Sequence, residues 1–310
     1  MSDLFTLPVI LGIIYSGLRL ATPYLYAAIG EAFAQNSGVY NLGVDGIMLM
    51  GAFSGFFVGM RTGNIGLGLL AAAVVGALMG LLMAVVSVTL KAEQGISGIG
   101  LYMFGLGLSS LLFKKTMAGV ESISGFQPIR IPILGNIPYL GDVFFNHNIL
   151  VYGAFLLVPL ATFVLYKTPL GLMIRAVGQN PQAADTLGVN VDGIRYFTVI
   201  LGGLLAGIAG ASLSISLINL FQENMTSGMG FIAIALVYFG SWRPVGILGG
   251  ALLFSFVNAL QLWLQVLGIN FPYDFAVMLP YAMTIITLAI SVRRAAMPDA
   301  LGKPFERGEF

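Results

Sequence analysis

Long apolar stretches alternate with short polar connections along nearly the whole chain. The stretches at Pro8–Ile29, Gly43–Met60, Ile65–Leu90, Ile96–Phe113, Ile149–Tyr166, Tyr196–Leu217, Gly230–Gly240, Val245–Leu267 and Phe275–Val292 are candidate membrane spans. A helix of about 20 apolar residues crosses a hydrocarbon core of roughly 30 Å. Lipid offers no partner to an open backbone amide, so such stretches cross as helices. The pattern predicts an all-α polytopic transmembrane helix bundle of about nine spans (eight to ten), a single domain over residues 1–310. Two stretches set that range. The first carries Arg19 and Pro23 and reads either as one span or as two shorter pieces. The seventh is short for a crossing, and short helices persist in membranes where protein or a water-filled cavity surrounds them, often beside a pathway.

Residues 167–195, KTPLGLMIRAVGQNPQAADTLGVNVDGIR, interrupt this pattern as a polar island. That is too long for a mere connector, and it holds two helical candidates, Gly171–Val177 and Pro181–Leu187. Asn180 is placed to cap the second, with Pro181 in its first turn. The island reads as a docking element in which Ala183, Ala184 and Leu187 form a small apolar contact face. Arg175 is open to two readings, a charge for a partner carboxylate or a solvated basic anchor. Basic residues favour cytoplasmic connections. With the island cytoplasmic, Lys91, Lys167, Arg175, Arg195, Arg243, Arg293, Arg294, Lys303 and Arg307 share its side. Arg61, Lys114, Lys115 and Arg130 fall on the other, a bias of nine to four that puts the C-terminus in the cytoplasm. The connection over residues 114–148 contains Pro128, Pro132 and Pro138 and is expected to fold as an extracytoplasmic cap.

Composition fixes the class independently: 58% apolar and 9% charged residues with a mean hydropathy of +0.93 exclude a soluble globular domain. There is no cysteine and a single histidine, His147, so neither a disulfide framework nor a metal cluster is expected. A net charge of +1 without a basic stripe sets nucleic acid aside. No GxxxxGK[ST] loop and no GxGxxG after a strand is present, so the chain has no device for nucleotide phosphates. HExxH and GxSxG are absent as well, and no catalytic residue, metal or cofactor is expected in this chain. The N-terminus lacks a basic n-region, and no cleaved signal peptide is expected. The carboxylates Glu31, Asp45 and Asp274 lie near span ends, which argues against an ion-coupled secondary transporter.

Small residues four apart let helix backbones approach in lipid. Gly51, Gly55 and Gly59 share a helical face, as do Gly76 with Gly80 and Gly203 with Gly207, and these read as packing seams. Polar residues in or beside spans are candidates for a pathway: Asn41, Asp45, Ser97, Asn219, Asn258 and Gln261. Asn41 and Asp45, four apart, would share a helical face, with a helix cap as the alternative for Asn41. Asn258 and Gln261 read as pathway residues or as interhelical hydrogen-bond partners. Phe239, Tyr238 and Trp242, beside the short seventh span, would stack on a planar solute or form an interface belt. Glu223 and Asn224 follow the sixth span and read as a docking point or as a plain exposed loop.

Four segments carry a family resemblance: GEAFAQNSGVYNLGVDGIMLMGAFSG at Gly30–Gly55, GLMIRAVGQNPQAADTLGVNVDGIRY followed by GGLLAGIAGA, GMGFIAIALVYFGSWRPVG at Gly228–Gly246 and ALGKPFERG at Ala300–Gly308. In this order they resemble the ABC importer permeases for nucleosides and simple sugars, within the branched-chain amino acid and ribose permease superfamily. The match is nearest the shorter of two permease subunits that pair with a basic membrane lipoprotein type nucleoside receptor. Asp45 stands where the family usually has Glu, and Gln35 lies where an Arg is usual nearby. The resemblance implies a type II ABC importer-like fold in the cell inner membrane and a passive gate for nucleosides, or for ribose-like sugars. It also implies a second homologous permease, a cytosolic ATPase that binds ATP and Mg, and an extracytoplasmic solute-binding lipoprotein. The island would be the coupling element that meets the ATPase, through Arg175, Asn180, Pro181, Ala183, Ala184 and Leu187.

Overall fold

The structure, a computed structural model, describes residues 6–117, 122–132, 135, 137–138, 140–267 and 297–307, with single residues at 278, 282, 285 and 289. The helices are α1 (Leu7–Asn36), α2 (Val44–Thr62), α3 (Ile65–Ala84), α4 (Gln94–Thr116), α5 (Leu140–Phe144), α6 (Ile149–Lys167), α7 (Pro169–Gln179), α8 (Pro181–Thr186), α9 (Val191–Ser212), α10 (Met229–Phe239) and α11 (Pro244–Val266). Short π-helical turns extend α3 to Thr89 and α9 to Leu217. Among the described residues seven helices are long and apolar enough to cross a membrane, and α10 is a shorter apolar one. The expected span at Phe275–Val292 and the basic pair Arg293 and Arg294 lie outside the described residues.

The centre of the bundle is a three-helix contact built from small residues. A Cβ on Gly51 of α2 would lie 2.3 Å from the Gly207 carbonyl oxygen of α9. On Gly76 of α3 it would lie 2.4 Å from the Gly203 carbonyl, and on Gly80 2.8 Å from that of Val199. Without a hydrophobic force between helices in lipid, contact at this distance supplies dispersion and dipolar attraction that larger side chains would block. The stripe loosens along α2: Gly55 would meet the Ala211 Cβ at 3.2 Å, while the nearest atom to Gly59 is 3.9 Å away.

Around this centre α1 is buried at every residue from Ala21 to Asn36. It is one continuous helix of 30 residues, so the alternative of two shorter pieces is set aside. Pro23 sits inside it, a disruption that packed neighbours tolerate in membrane helices. Arg19 is held by the Ser216 carbonyl at 3.3 Å and lies over the Tyr15 ring. Antiparallel to α1, α11 places Trp263 against Gly12 and Phe256 against Gly17.

The bundle has two ends. One, here called basal, carries α7 and α8; the other, apical, carries the connection after α4. There β1 (Ile129–Arg130) pairs antiparallel with β2 (Asn146–His147), with α5 between them, and Ser122 bridges to Leu220. Lys114 and Lys115, assigned from sequence to this connection, belong to the last turn of α4. Arg61, Lys114, Lys115 and Arg130 cluster at the apical end, and Lys91, Lys167, Arg175, Arg195, Arg243, Lys303 and Arg307 at the basal end.

An Ala in place of an interior helical Gly ordinarily gains up to about 1 kcal/mol of propensity. At Gly203 the added Cβ would collide with the Gly76 carbonyl at 2.4 Å, so Gly203→Ala is expected to lower the thermal midpoint in detergent. Gly59→Ala, which meets nothing closer than 3.9 Å, is expected to leave it unchanged or raise it. Equal effects at the two positions would mean the seam is not rigid.

Candidate translocation site

Between α9 and α10 the backbone leaves regular structure and turns back into the bundle. At the apical end Asn219 accepts from the Ile123 amide, and Glu223 pairs with Lys114 at 3.2 Å. Phe221 then packs edge-on against Phe53 at 5.5 Å. The chain turns through three residues with positive φ, Asn224 (54°), Ser227 (45°) and Gly228 (86°). α10 starts next to Asp45 of α2, and Phe231 in its first turn meets Tyr102. Tyr102 is the ninth residue of α4, about 12 Å along that helix from its basal end at 1.5 Å per residue. α10 is thus a half-helix that begins inside the membrane and runs out to the basal end.

Such a start leaves backbone amides facing hydrocarbon unless something accepts them. Asp45, fully buried, does so: its carboxyl accepts the Gly230 amide at 2.7 Å and the Thr226 hydroxyl at 3.0 Å. The carboxyl also complements the positive end of the α10 dipole. Gly230 is required here, since its Cβ would lie 2.3 Å from the Asp45 amide nitrogen. Asp45 is therefore a fastener between α2 and α10 and is closed off from solvent.

At the basal end of α10 a second polar network forms. Glu31, in α1, accepts from Gln35 at 3.0 Å and from the Asn41 amide at 2.8 Å. Gln35 in turn accepts the Trp242 indole N–H at 2.7 Å. Asn36 donates to the Trp242 carbonyl at 3.2 Å. Ser241 and Trp242 carry positive φ values of 51° and 59° in the α10–α11 turn, so the network fastens a strained turn to α1.

The sequence-predicted residues divide accordingly. Asn41 lies in the turn before α2, where its side chain accepts the Gly43 amide at 2.8 Å. It does not share a helical face with Asp45, because α2 starts only at Val44. Ser97 is remote: it bonds back to the Glu93 carbonyl and lines an apolar groove of about 280 Å³ with Leu82, Met83 and Phe104. Phe239 packs on Gly250 of α11, and Tyr238 meets Trp242 edge-on at 4.9 Å. Asn258 and Gln261 are half-buried on α11, away from Asp45. Thr226, Ser227, Phe231 and Tyr102 were missed. MTSGMG before a short apolar run is the signal that could have found them, because glycine and serine flank the point where a half-helix begins.

In the island, Asn180 caps α8 by accepting the Ala183 amide at 3.0 Å, with Pro181 at the first helical position. Ala184 does not belong to an outward face. It is 3% exposed and packs with Val177, Val191 and Phe305, because the tail folds back beneath α8. Ala183 is exposed and Leu187 is 85% exposed. Arg175 bonds the Leu165 carbonyl at 3.1 Å and lies over Tyr166, so it closes the end of α6. The tail is tied down by Arg195, which is 1% exposed and bonds the Ser37 and Lys303 carbonyls at 3.2 and 3.1 Å. Arg307 pairs with Asp185 and Lys91 with Glu306, both at 3.0 Å.

If Asp45 fastens α10, Asp45→Ala strands two buried donors at a cost of about 1–3 kcal/mol each. The variant is expected to unfold at a markedly lower temperature than Thr226→Val. The double variant is expected to be no worse than Asp45→Ala alone, because the Thr226 hydroxyl has already lost its acceptor. Strict additivity in that cycle would show that the two side chains do not interact.

The chain matches, over residues 13–288, the family described as branched-chain amino acid transport system / permease component. It is 37% identical over 311 residues to the guanosine ABC transporter permease NupQ of Bacillus subtilis, with 96% of this chain and 97% of that protein covered. To the nucleoside ABC transporter permease NupC of Lactococcus lactis it is 36% identical over 303 residues, covering 94% and 95%. TsgC13 of Haloferax volcanii, named for glucose transport, is 39% identical over 323 residues, covering 96% and 98%. Bacillus subtilis and Lactococcus lactis each carry a more distant relative as well, NupP at 25% over 294 residues and NupB at 26% over 251. NupP aligns over 92% of this chain and 81% of its own length, NupB over 77% and 69%. No solved structure matches. A multi-pass bundle matched over nearly its whole length in this way belongs to the branched-chain amino acid transport system permease family.

Proposed function

We propose that this chain is one of two permease subunits of an ATP-driven importer that carries nucleosides across the cytoplasmic membrane. The observation that carries the reading is the re-entrant segment with its half-helix. Irregular backbone is kept at membrane depth where it borders a pathway or is enclosed by protein, and here it is fastened at both ends by buried polar contacts. Two relatives covering almost the whole chain are named for guanosine or nucleosides, which supports the substrate class. Glucose or a ribose-like sugar is the second reading, favoured by the 39% identity to TsgC13. The paired relatives NupQ with NupP and NupC with NupB support a second, different permease as partner.

The α7–α8 element and the tail face the cytoplasm in this reading, and the β1–β2 connection faces outward to a solute-binding lipoprotein, near Glu223 and Asn224. The chain has no phosphate-binding device, so a cytosolic ATPase holds ATP and Mg and meets α8. Ala183 and Leu187 supply the contact, Asn180 and Pro181 set the start of the helix, and Ala184 and Arg175 hold it from within. The pathway runs beside the start of α10. Asp45 and Asn41 shape it from behind, and Asn258 and Gln261 on α11 stand away from it. Ser97 and Phe239 lie outside it in this reading.

Cells that carry the complete transporter are expected to take up labelled guanosine, with unlabelled nucleosides competing and glucose not. Competition by glucose alone would move the assignment to sugars, and uptake that persists with an inactive ATPase would end the importer reading. Orientation is tested with introduced cysteines, since the chain has none. A membrane-impermeant thiol reagent outside the cytoplasmic membrane is expected to label Gln127→Cys and spare Gln182→Cys, and the reverse would refute the assignment. Leu187→Asp would bury an unpaired charge against the ATPase, and a drop of about tenfold or more in ATPase affinity is expected, with the permease still folded.

A further inference from the structure

We propose that Ser227, Gly228, Phe231 and Tyr102 form the surface over which the solute passes, and that this surface selects a neutral, flat aromatic solute against anions. The inference deepens the nucleoside reading and rests on it. Three observations converge. The first is depth: Phe231 and Tyr102 meet edge to face, with ring centroids 5.2 Å apart, about 12 Å along α4 from its basal end. The second is exposure. Phe231 is 38% exposed and Ser227 is exposed, although both adjoin the sealed Asp45 site. The Phe231 ring also lies over Gly228, with Cδ2 3.9 Å from where a Cβ would stand. A serine and an irregular backbone at this depth would be costly against lipid and are at home against a wet path.

The third observation is electrostatic. A half-helix that starts inside a membrane presents a positive end, which suits an anionic solute group. Here that end is already taken. Asp45 accepts the Gly230 amide. The Met229, Phe231 and Ile232 amides go to the Thr226 and Gly228 carbonyls, so no first-turn donor is left for a ligand. Of the basic residues beside the re-entrant segment, Lys114 is paired with Glu223 towards the apical end and Arg19 is bonded to the Ser216 carbonyl. What remains at the surface is an aromatic edge, the Gly228 backbone and the Ser227 hydroxyl, whose proton is already given to the Asn224 carbonyl at 3.0 Å. The aromatic edge stacks on an uncharged base and the hydroxyl oxygen accepts from one, while that hydroxyl has no free proton for a phosphate or carboxylate.

The test uses the whole transporter, with second permease, ATPase and receptor, in proteoliposomes. Phe231→Ala is expected to raise the apparent KM for guanosine about tenfold, and Phe231→Tyr is expected to restore it. Independently, Ser227→Cys is expected to react with a small water-soluble thiol reagent and to be protected by guanosine but not by guanosine monophosphate. Equal protection by the monophosphate would overturn the neutral selection. A Ser227→Cys that is unreactive in the assembled complex whether or not guanosine is present would show that the second permease covers this face, and would overturn the proposal. If wild-type transporter carries guanosine while Phe231→Ala leaves its KM unchanged, the surface is wrong and the nucleoside reading stands. If wild-type transporter carries no nucleoside, both fall.

Discussion

An amide or carbonyl in hydrocarbon must find its partner within the protein, and the unusual features of this fold answer that demand. Long helices meet it internally, which is why the described bundle is almost entirely helical. An exception is the stretch from Ile218 to Gly228. Its chain is paired to the apical connection by the Ser122–Leu220 bridge and the Ile123 amide, and then to Asp45 by Gly230 and Thr226. Removing the acceptor at Asp45 would leave the Gly230 amide in the first turn of α10 and the Thr226 hydroxyl before it unmatched, and α10 would lose its fastening to α2. A carboxyl is suited to this because it serves two donors and opposes the helix dipole at once.

Packing around that stretch follows a second rule, that helices in lipid associate by close approach instead of by hydrophobic exclusion. The α2–α3–α9 contact follows that rule, with backbone lying against backbone at Gly51, Gly76, Gly203 and Gly207. α2 therefore holds Asp45 in a fixed place relative to α9, and the position of α10 is inherited from the glycine seam. The basal end adds side chains that bond to carbonyls: Arg195 to Ser37 and Lys303, Arg175 to Leu165, Asn36 to Trp242. Close backbone approach works there too, since a Cβ on Gly178 of α7 would lie 2.0 Å from the Asn36 carbonyl oxygen, and the Ala300 and Gly302 amides donate to the Gly178 and Gly38 carbonyls. The glycine seam thus positions the start of α10, and the basal contacts hold its end.

Much of this was legible in the sequence because spans and their ends are written in local patterns. Hydropathy placed most described helices within a few residues, glycine spacing marked the seam, and Asn180 with Pro181 announced α8. What failed depended on contacts distant in sequence. Asn41 and Asp45 look like helical neighbours by spacing, yet the helix begins after Asn41, since Asn41 turns to cap the loop and its amide is taken by Glu31. Ala184 looked like part of an outward apolar face, but more than a hundred residues later Phe305 returns to cover it. Arg195 was counted only as a positive charge, and nothing near it in sequence shows that it lies at 1% exposure between two carbonyls. The start of α10 was visible as a short apolar run, but its depth follows only from Gly230 touching Asp45.

Asp45 also bears on how substrate class is divided in such a scaffold. The same half-helix with a smaller, neutral residue at position 45 would expose a positive end to the path and favour carboxylates or phosphates. In the proposed reading a carboxyl there cancels that attraction inside the protein, and selection passes to shape and stacking at the surface in front. One buried side chain that never meets solute would then set the charge of what the path accepts. The aromatic and hydroxyl groups ahead of it would be left to distinguish one uncharged solute from another. The overall charge of the chain is silent on this choice, because in that reading the decision is made by a single dipole and its cap.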